Sequence, residues 1–124
     1  MNDFAADIQA NTLPSYVMIP PNIENDGHDT TPLFVESYLK YFMPPLVNDT
    51  RFNGPNTLIM LTYDEDDSYD SLGNNRVYTL LLGNAIPPSL HGTQDSTYHT
   101  HFSVLSTIQS NWGLNCLGRE DTNK

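Results

Sequence analysis

The chain has 124 residues, enough for one compact domain, and a domain of this size buries roughly two-thirds of the surface its unfolded chain exposes. Fifteen acidic against five basic side chains give a formal charge of −10, a field that repels phosphate backbones and argues against a nucleic-acid partner. A phosphate ester can be handled in such a field only where a cation or a local positive group offsets it. No stretch approaches the ~20 apolar residues of a membrane span, and the opening MNDFAADIQANTLPSY has neither a basic n-region nor an apolar h-region.

In chain order, the first predicted element is a core strand at Tyr16–Ile19 (YVMI), ended by Pro20 and Pro21. The loop that follows, PPNIENDGHDTTP, is rich in Asn, Asp, Gly and Pro, so turns and side-chain hydrogen bonds are expected to hold its backbone. Thr31 and Pro32 then form a helix start, a capping hydroxyl followed by a residue that has no amide hydrogen to satisfy. Phe34, Tyr38, Tyr41, Phe42 and Leu46 recur at three- and four-residue intervals and predict one face of an amphipathic helix. Pro44 and Pro45 are expected to kink or end it.

Two apolar strands are predicted next, Thr57–Tyr63 and Arg76–Leu82, separated by the acidic loop DEDDSYDSLGNN. Both read as continuous apolar runs, the pattern of strands covered on both faces. The last predicted element is a helix from Phe102 to Trp112 with Val104, Leu105, Ile108 and Trp112 on one stripe and Gly113 as its stop. The order strand, helix, strand, strand, helix indicates an α/β layer structure in one domain over 1–124. Cys116 stands alone, cannot form an internal disulfide, and is expected to be a small apolar filler.

Chemistry is expected first at Asp64 and Glu65. Adjacent carboxylates just after a buried strand sit at the edge where open α/β sheets place ligands. Their mutual repulsion is relieved if a hard divalent cation holds both ionised, and the alternative is a solvated acidic turn. The spacing Asp64, Asp66, Ser68, Asp70 resembles the opening of a calcium loop. Tyr69 stands where that loop needs glycine and Asn75 where it needs a bidentate glutamate, so an EF-hand is excluded and only looser calcium binding stays open. Histidines supply the second candidates. His99 and His101 alternate ahead of the last helix, so one of the two can point inward to a site while the other faces solvent, and His28 lies in the loop after the first strand. An imidazole can ligate a metal, bind a phosphoryl oxygen or move a proton, or it can be an ordinary surface group. His91 has no partner in the sequence pattern and receives no role.

Four segments, NDGHDT, TLIMLTYDE, NNRVYTLLLGNAIP and THFSVLSTIQSNWGLNCLGREDT, taken in that order, resemble the C-terminal part of fungal phosphate-repressible acid phosphatases. These belong to the phosphoesterase family that includes bacterial non-haem phospholipases C, within the alkaline-phosphatase-like superfamily. The resemblance runs from about Tyr16 to Lys124. It implies an α/β fold that is a fragment of a three-layer sandwich with a mixed or mostly parallel sheet. It also implies hydrolysis of phosphate esters through a hydroxyl nucleophile, assisted by a divalent metal of unspecified identity.

Carried onto this chain, the resemblance makes Asp64 and Glu65 metal ligands, His101 a contact to metal or substrate phosphate, and His28 a phosphate-binding or leaving-group residue. The family's Glu-Asn motif and nucleophile fall in an N-terminal half with no counterpart here, so the chain is expected to be inactive or nearly so without it. Secretion or a cell-wall location is implied for the parent enzyme, and Asn48-Asp49-Thr50 is an acceptable glycosylation sequon. The rival expectation is a non-catalytic acidic module that binds calcium or a basic partner.

Overall fold

A computed structural model describes residues 2–66, 75–119 and 121. Its elements are helix α1 (Asn2–Ala10), helix α2 (Pro32–Asn48), strand β1 (Ile59–Thr62), strand β2 (Thr79–Leu82), a 3-10 turn at Pro88–Leu90 and helix α3 (His101–Trp112). The chain divides into two compact units, one formed by residues 1–61 with 79–89 and the other by 62–78 with 90–124. The expected helix–strand mixture is present. The two strands pair antiparallel in a two-stranded sheet.

In the first unit, α2 begins where the sequence signals it. Thr31 is the N-cap, its hydroxyl accepting from the Phe34 amide at 3.4 Å, and Pro32 takes the first turn. The helix nevertheless runs through Pro44 and Pro45 to Asn48, so the prolines do not end it. The two prolines leave only the carbonyls of Lys40 and Tyr41 without their helical donors, close enough to the C-terminus for the last turn to continue.

The inward face of α2 also differs from the predicted one. Val35 and Leu46 are the buried positions, Tyr38 and Phe42 are half-buried and stack with ring centroids 5.3 Å apart, and Phe34 and Tyr41 are exposed. The inward stripe is Val35, Tyr38, Leu39, Phe42, Leu46: it keeps Tyr38, Phe42 and Leu46 of the predicted set and replaces Phe34 and Tyr41 with Val35 and Leu39. Helix α1, which the sequence reading did not anticipate, contributes buried Ile8 and brings Phe4 edge-on to Phe52 at 5.9 Å. It closes at Asn11, whose left-handed backbone (φ 56°) lets the Thr12 amide reach the Asp7 carbonyl at 3.0 Å.

The predicted strand at Tyr16–Ile19 is absent: the segment is irregular, and Met18 is 76% exposed. A four-residue apolar run becomes a strand only when a neighbouring strand edge pairs with it, and the described sheet is made of β1 and β2. The loop beyond it is held as expected. The Asn25 and Asp26 amides donate to the Asn22 carbonyl, the Thr30 hydroxyl to the Glu24 carbonyl, and the His28 amide to the Asp26 carboxylate at 2.8 Å.

Both strands are shorter than predicted and half-buried rather than covered, with Leu58 and Leu81 exposed. Their register is pinned by main-chain and amide contacts. The Ala85 amide donates to the Thr57 carbonyl at 3.1 Å, and Gly83, at φ 106°, lies so close to that carbonyl that no side chain fits. Buried Asn53 accepts from the Asn84 amide at 2.9 Å and donates to the Val47 carbonyl at 2.8 Å, tying the end of β2 to the end of α2.

In the second unit α3 starts one residue before the predicted boundary and stops, as predicted, at Gly113 in the left-handed conformation (φ 62°, ψ 32°). Its first turn is closed by the Thr100 amide donating to Ser103 Oγ at 3.1 Å. The buried positions are Ser106 and Gln109, while Val104, Leu105 and Ile108 are half-buried and Trp112 is exposed.

Asp121, 2% exposed, organises the turn after α3. It accepts from Gln109 Nε2 at 2.7 Å, from the Leu117 and Arg119 amides and from Cys116 Sγ at 2.9 Å. Donation from the Cys116 thiol, followed by Gln109, holds this carboxyl well below the ordinary range, and the same contact pushes the thiol up. Cys116 is thus exposed and polar in its contacts, not the apolar filler expected. Among the described residues, no helix is long and apolar enough to cross a membrane.

Candidate functional site

Strand β1 ends at Thr62, and the chain leaves it through Tyr63 into Asp64, Glu65 and Asp66. Asp64 and Glu65 are exposed there, at the end of a strand, as the sequence reading placed them. The strand itself is half-buried, so its carboxylates emerge from an edge rather than from a deep cleft.

The second unit brings one distant residue to this edge. His101 is the first residue of α3, and its Nε2 lies 2.8 Å from the main-chain carbonyl of Asp64, thirty-seven positions earlier. The helix start fixes the imidazole's base, and a hydrogen bond to main chain fixes its tip. His99 behaves differently: its Nε2 lies 3.4 Å from the exposed Asp95 carboxylate. The Asp95 carboxyl is lowered to about 2, chiefly by the Thr97 side chain and amide and then by His99. Both imidazoles are exposed, with His101 directed to the Asp64 carbonyl and His99 to the Asp95 carboxylate. His28 belongs to the first unit, within the turn-stabilised loop. His91 is exposed just after the 3-10 turn.

Two further residues complete the edge that His101 reaches. Asn75 Nδ2 donates to the Asp64 carbonyl at 3.2 Å, and Asn75 Oδ1 accepts from the Asp66 amide at 2.8 Å. The Asp66 carboxylate accepts from the Arg76 amide at 3.1 Å. In the sequence, Asp66 and Asn75 stand out only as positions in a failed calcium loop. Ser68 and Asp70, the other members of that spacing, lie outside the described residues. An asparagine just ahead of an apolar strand does signal a turn, but nothing in that signal says which main-chain groups its carboxamide reaches.

Asp64 and Glu65 are hard oxygen donors of the kind a divalent ion takes. Among the described residues, no three His, Cys, Asp or Glu side chains are gathered around one point. Among the described residues the pair therefore fits as part of a metal site.

The model of the Phosphoesterase family matches residues 1–115. The chain is 45% identical over 120 residues to an acid phosphatase of Aspergillus niger, an alignment covering 97% of this chain and 28% of the relative. It is 43% identical over 119 residues to a probable acid phosphatase of Kluyveromyces lactis, covering 96% of this chain and 28% of that one. To a phosphatidylinositol-3-phosphatase of Mycobacterium tuberculosis it is 31% identical over 102 residues, covering 82% and 31%. The chain thus spans less than a third of the length of these relatives. No solved structure matches.

Proposed function

Because the chain belongs to the Phosphoesterase family, we propose that it forms part of a hydrolase acting on phosphate esters, of the acid phosphatase type. The observation that carries this reading is the 2.8 Å contact between His101 and the Asp64 carbonyl, which joins two distant sequence motifs at one edge. In this reading Asp64 and Glu65 are two of the ligands of a divalent metal ion, whose bound form supplies Lewis-acid polarisation of a phosphoryl oxygen. His101, anchored by its Nε2, contacts the phosphoryl group or its metal, and His28 binds phosphate or assists the leaving alcohol. The hydroxyl nucleophile and the remaining ligands come from the part of the relatives' length that this chain does not span. The complete fold is then an alkaline-phosphatase-like three-layer sandwich, of which β1 and β2 form one antiparallel pair in a mixed or mostly parallel sheet. Secretion or a cell-wall location belongs to the same reading.

The test is hydrolysis of p-nitrophenyl phosphate by a full-length enzyme that contains this chain. Asp64→Ala and His101→Ala are each expected to lower turnover roughly 100-fold or more, the scale of a lost electrostatic or acid–base group. Near-wild-type turnover in both variants sinks the proposal. The exposed setting of Asp64 and Glu65 also suits a non-catalytic acidic module. Calorimetric titration with calcium and magnesium separates the two readings. Tight calcium binding that phosphate does not affect favours the module.

A further inference from the structure

We propose that Asn75 is a positioning residue for the phosphoryl-binding edge: its carboxamide brackets Glu65 and fixes His101 as the Nε2–H tautomer, leaving Nδ1 to face the phosphoryl group or its metal. This rests on the phosphoesterase reading of Asp64, Glu65 and His101.

The tautomer follows from the partner. A main-chain carbonyl has no proton to give, so the nitrogen 2.8 Å from the Asp64 oxygen must donate, and the neutral ring then carries its lone pair on Nδ1. A carboxylate partner could change its protonation and leave the tautomer ambiguous. A carbonyl cannot.

The orientation of the Asn75 carboxamide follows in the same way. One end meets the Asp66 amide at 2.8 Å, a group that only donates, and the other meets the Asp64 carbonyl at 3.2 Å, a group that only accepts. Only one of the two carboxamide flips satisfies both. The two main-chain groups lie either side of Glu65, so the side chain acts as a bracket across that residue. The Arg76 amide, donating to the Asp66 carboxylate at 3.1 Å, ties the residue after Asn75 to the same strand end.

The Asp64 oxygen accepts from both Asn75 Nδ2 and His101 Nε2 and is the shared anchor of bracket and histidine. Asn75 occupies positive φ, 35°, a region that asparagine tolerates better than most residues. Residue type, backbone conformation and both hydrogen bonds therefore agree on one role.

The experiment is nitrogen-15 NMR of the imidazoles of this chain at about pH 8.5, where an ordinary imidazole is neutral. Wild type, Asn75→Gly and Asn75→Asp are compared. Glycine keeps the left-handed backbone and removes the bracket. Aspartate keeps the acceptor for the Asp66 amide and removes the donor to the Asp64 carbonyl. In wild type the His101 resonances are expected to show a protonated Nε2 and an unprotonated Nδ1. Both variants are expected to reduce the preference for Nε2–H roughly fivefold, the scale of one ordinary hydrogen bond, with far-UV circular dichroism unchanged.

A wild-type ring protonated at Nδ1, or a wild-type tautomer ratio in Asn75→Asp, overturns the proposal. The measurement uses neither metal nor substrate. Its failure is therefore separate from a failure of the phosphoesterase reading, which shows only in the hydrolysis of p-nitrophenyl phosphate by the Asp64 and His101 variants.

Discussion

The two units of the chain are held by different forces. All three buried apolar residues among those described, Ile8, Val35 and Leu46, lie in the first unit, whereas three of the four buried polar ones, Ser106, Gln109 and Asp121, lie in the second. Apolar burial stabilises in proportion to area removed from water, while an intramolecular hydrogen bond gains only the small difference between its protein and water partners. The first unit is therefore the firmer one. The second carries the Asp64–His101 contact on an arrangement of caps, turns and amide brackets.

The contrast is most easily broken from the first unit. Gly83→Ala forces a side chain into a left-handed backbone against the Thr57 carbonyl, and a loss of about 3 kcal/mol is expected in urea unfolding followed at β-sheet probes. Leu46→Ala is expected to cost about 2 kcal/mol, at the low end for a buried leucine because so little of its surroundings is closed. A cost equal to that of Gly83→Ala would mean that the α2 face is better packed than its exposure shows.

In the second unit Asp121→Asn should leave the first unit's amides unchanged while the Leu117 and Arg119 amides lose roughly tenfold in hydrogen-exchange protection. Loss of protection throughout both units would abolish the distinction between them.

The smallest expected effect is in acid. Asp49 is lowered to about 2 by the Arg51 guanidinium and amide, and Asp95 to about 2 by Thr97 and His99. Each is depressed in the fold, so its contribution is fully present above the ordinary carboxylate value of about 4 and is lost as pH falls towards 2. Arg51→Ala should return the Asp49 titration towards about 4 by NMR and leave Asp95 unmoved. A parallel shift at Asp95 would show that the two carboxylates are linked.

What the sequence made legible was local. Thr31–Pro32 and Gly113 marked helix boundaries because a capping hydroxyl, a proline at the first turn and a left-handed stop act within a few residues. Tyr16–Ile19 misled because a strand depends on a partner that its own residues do not specify. Phe34 and Tyr41 were wrongly placed on the inward face of α2 because, as large aromatics, they outweighed the smaller Val35 in the pattern.

At the candidate site, the position of Asp64 and Glu65 just past a strand end was legible. Asn75 was not, because its role lies in two main-chain contacts nine and eleven residues away, and no periodicity encodes those.

The anchor of His101 is a peptide oxygen, and every residue type supplies one: even proline and glycine retain the carbonyl. The identity of the side chain at position 64 is therefore separable from the placement of the histidine. An engineer can exchange the carboxylate there for another side chain and still expect the imidazole in its place, so the chemistry presented at position 64 can be altered without rebuilding the edge.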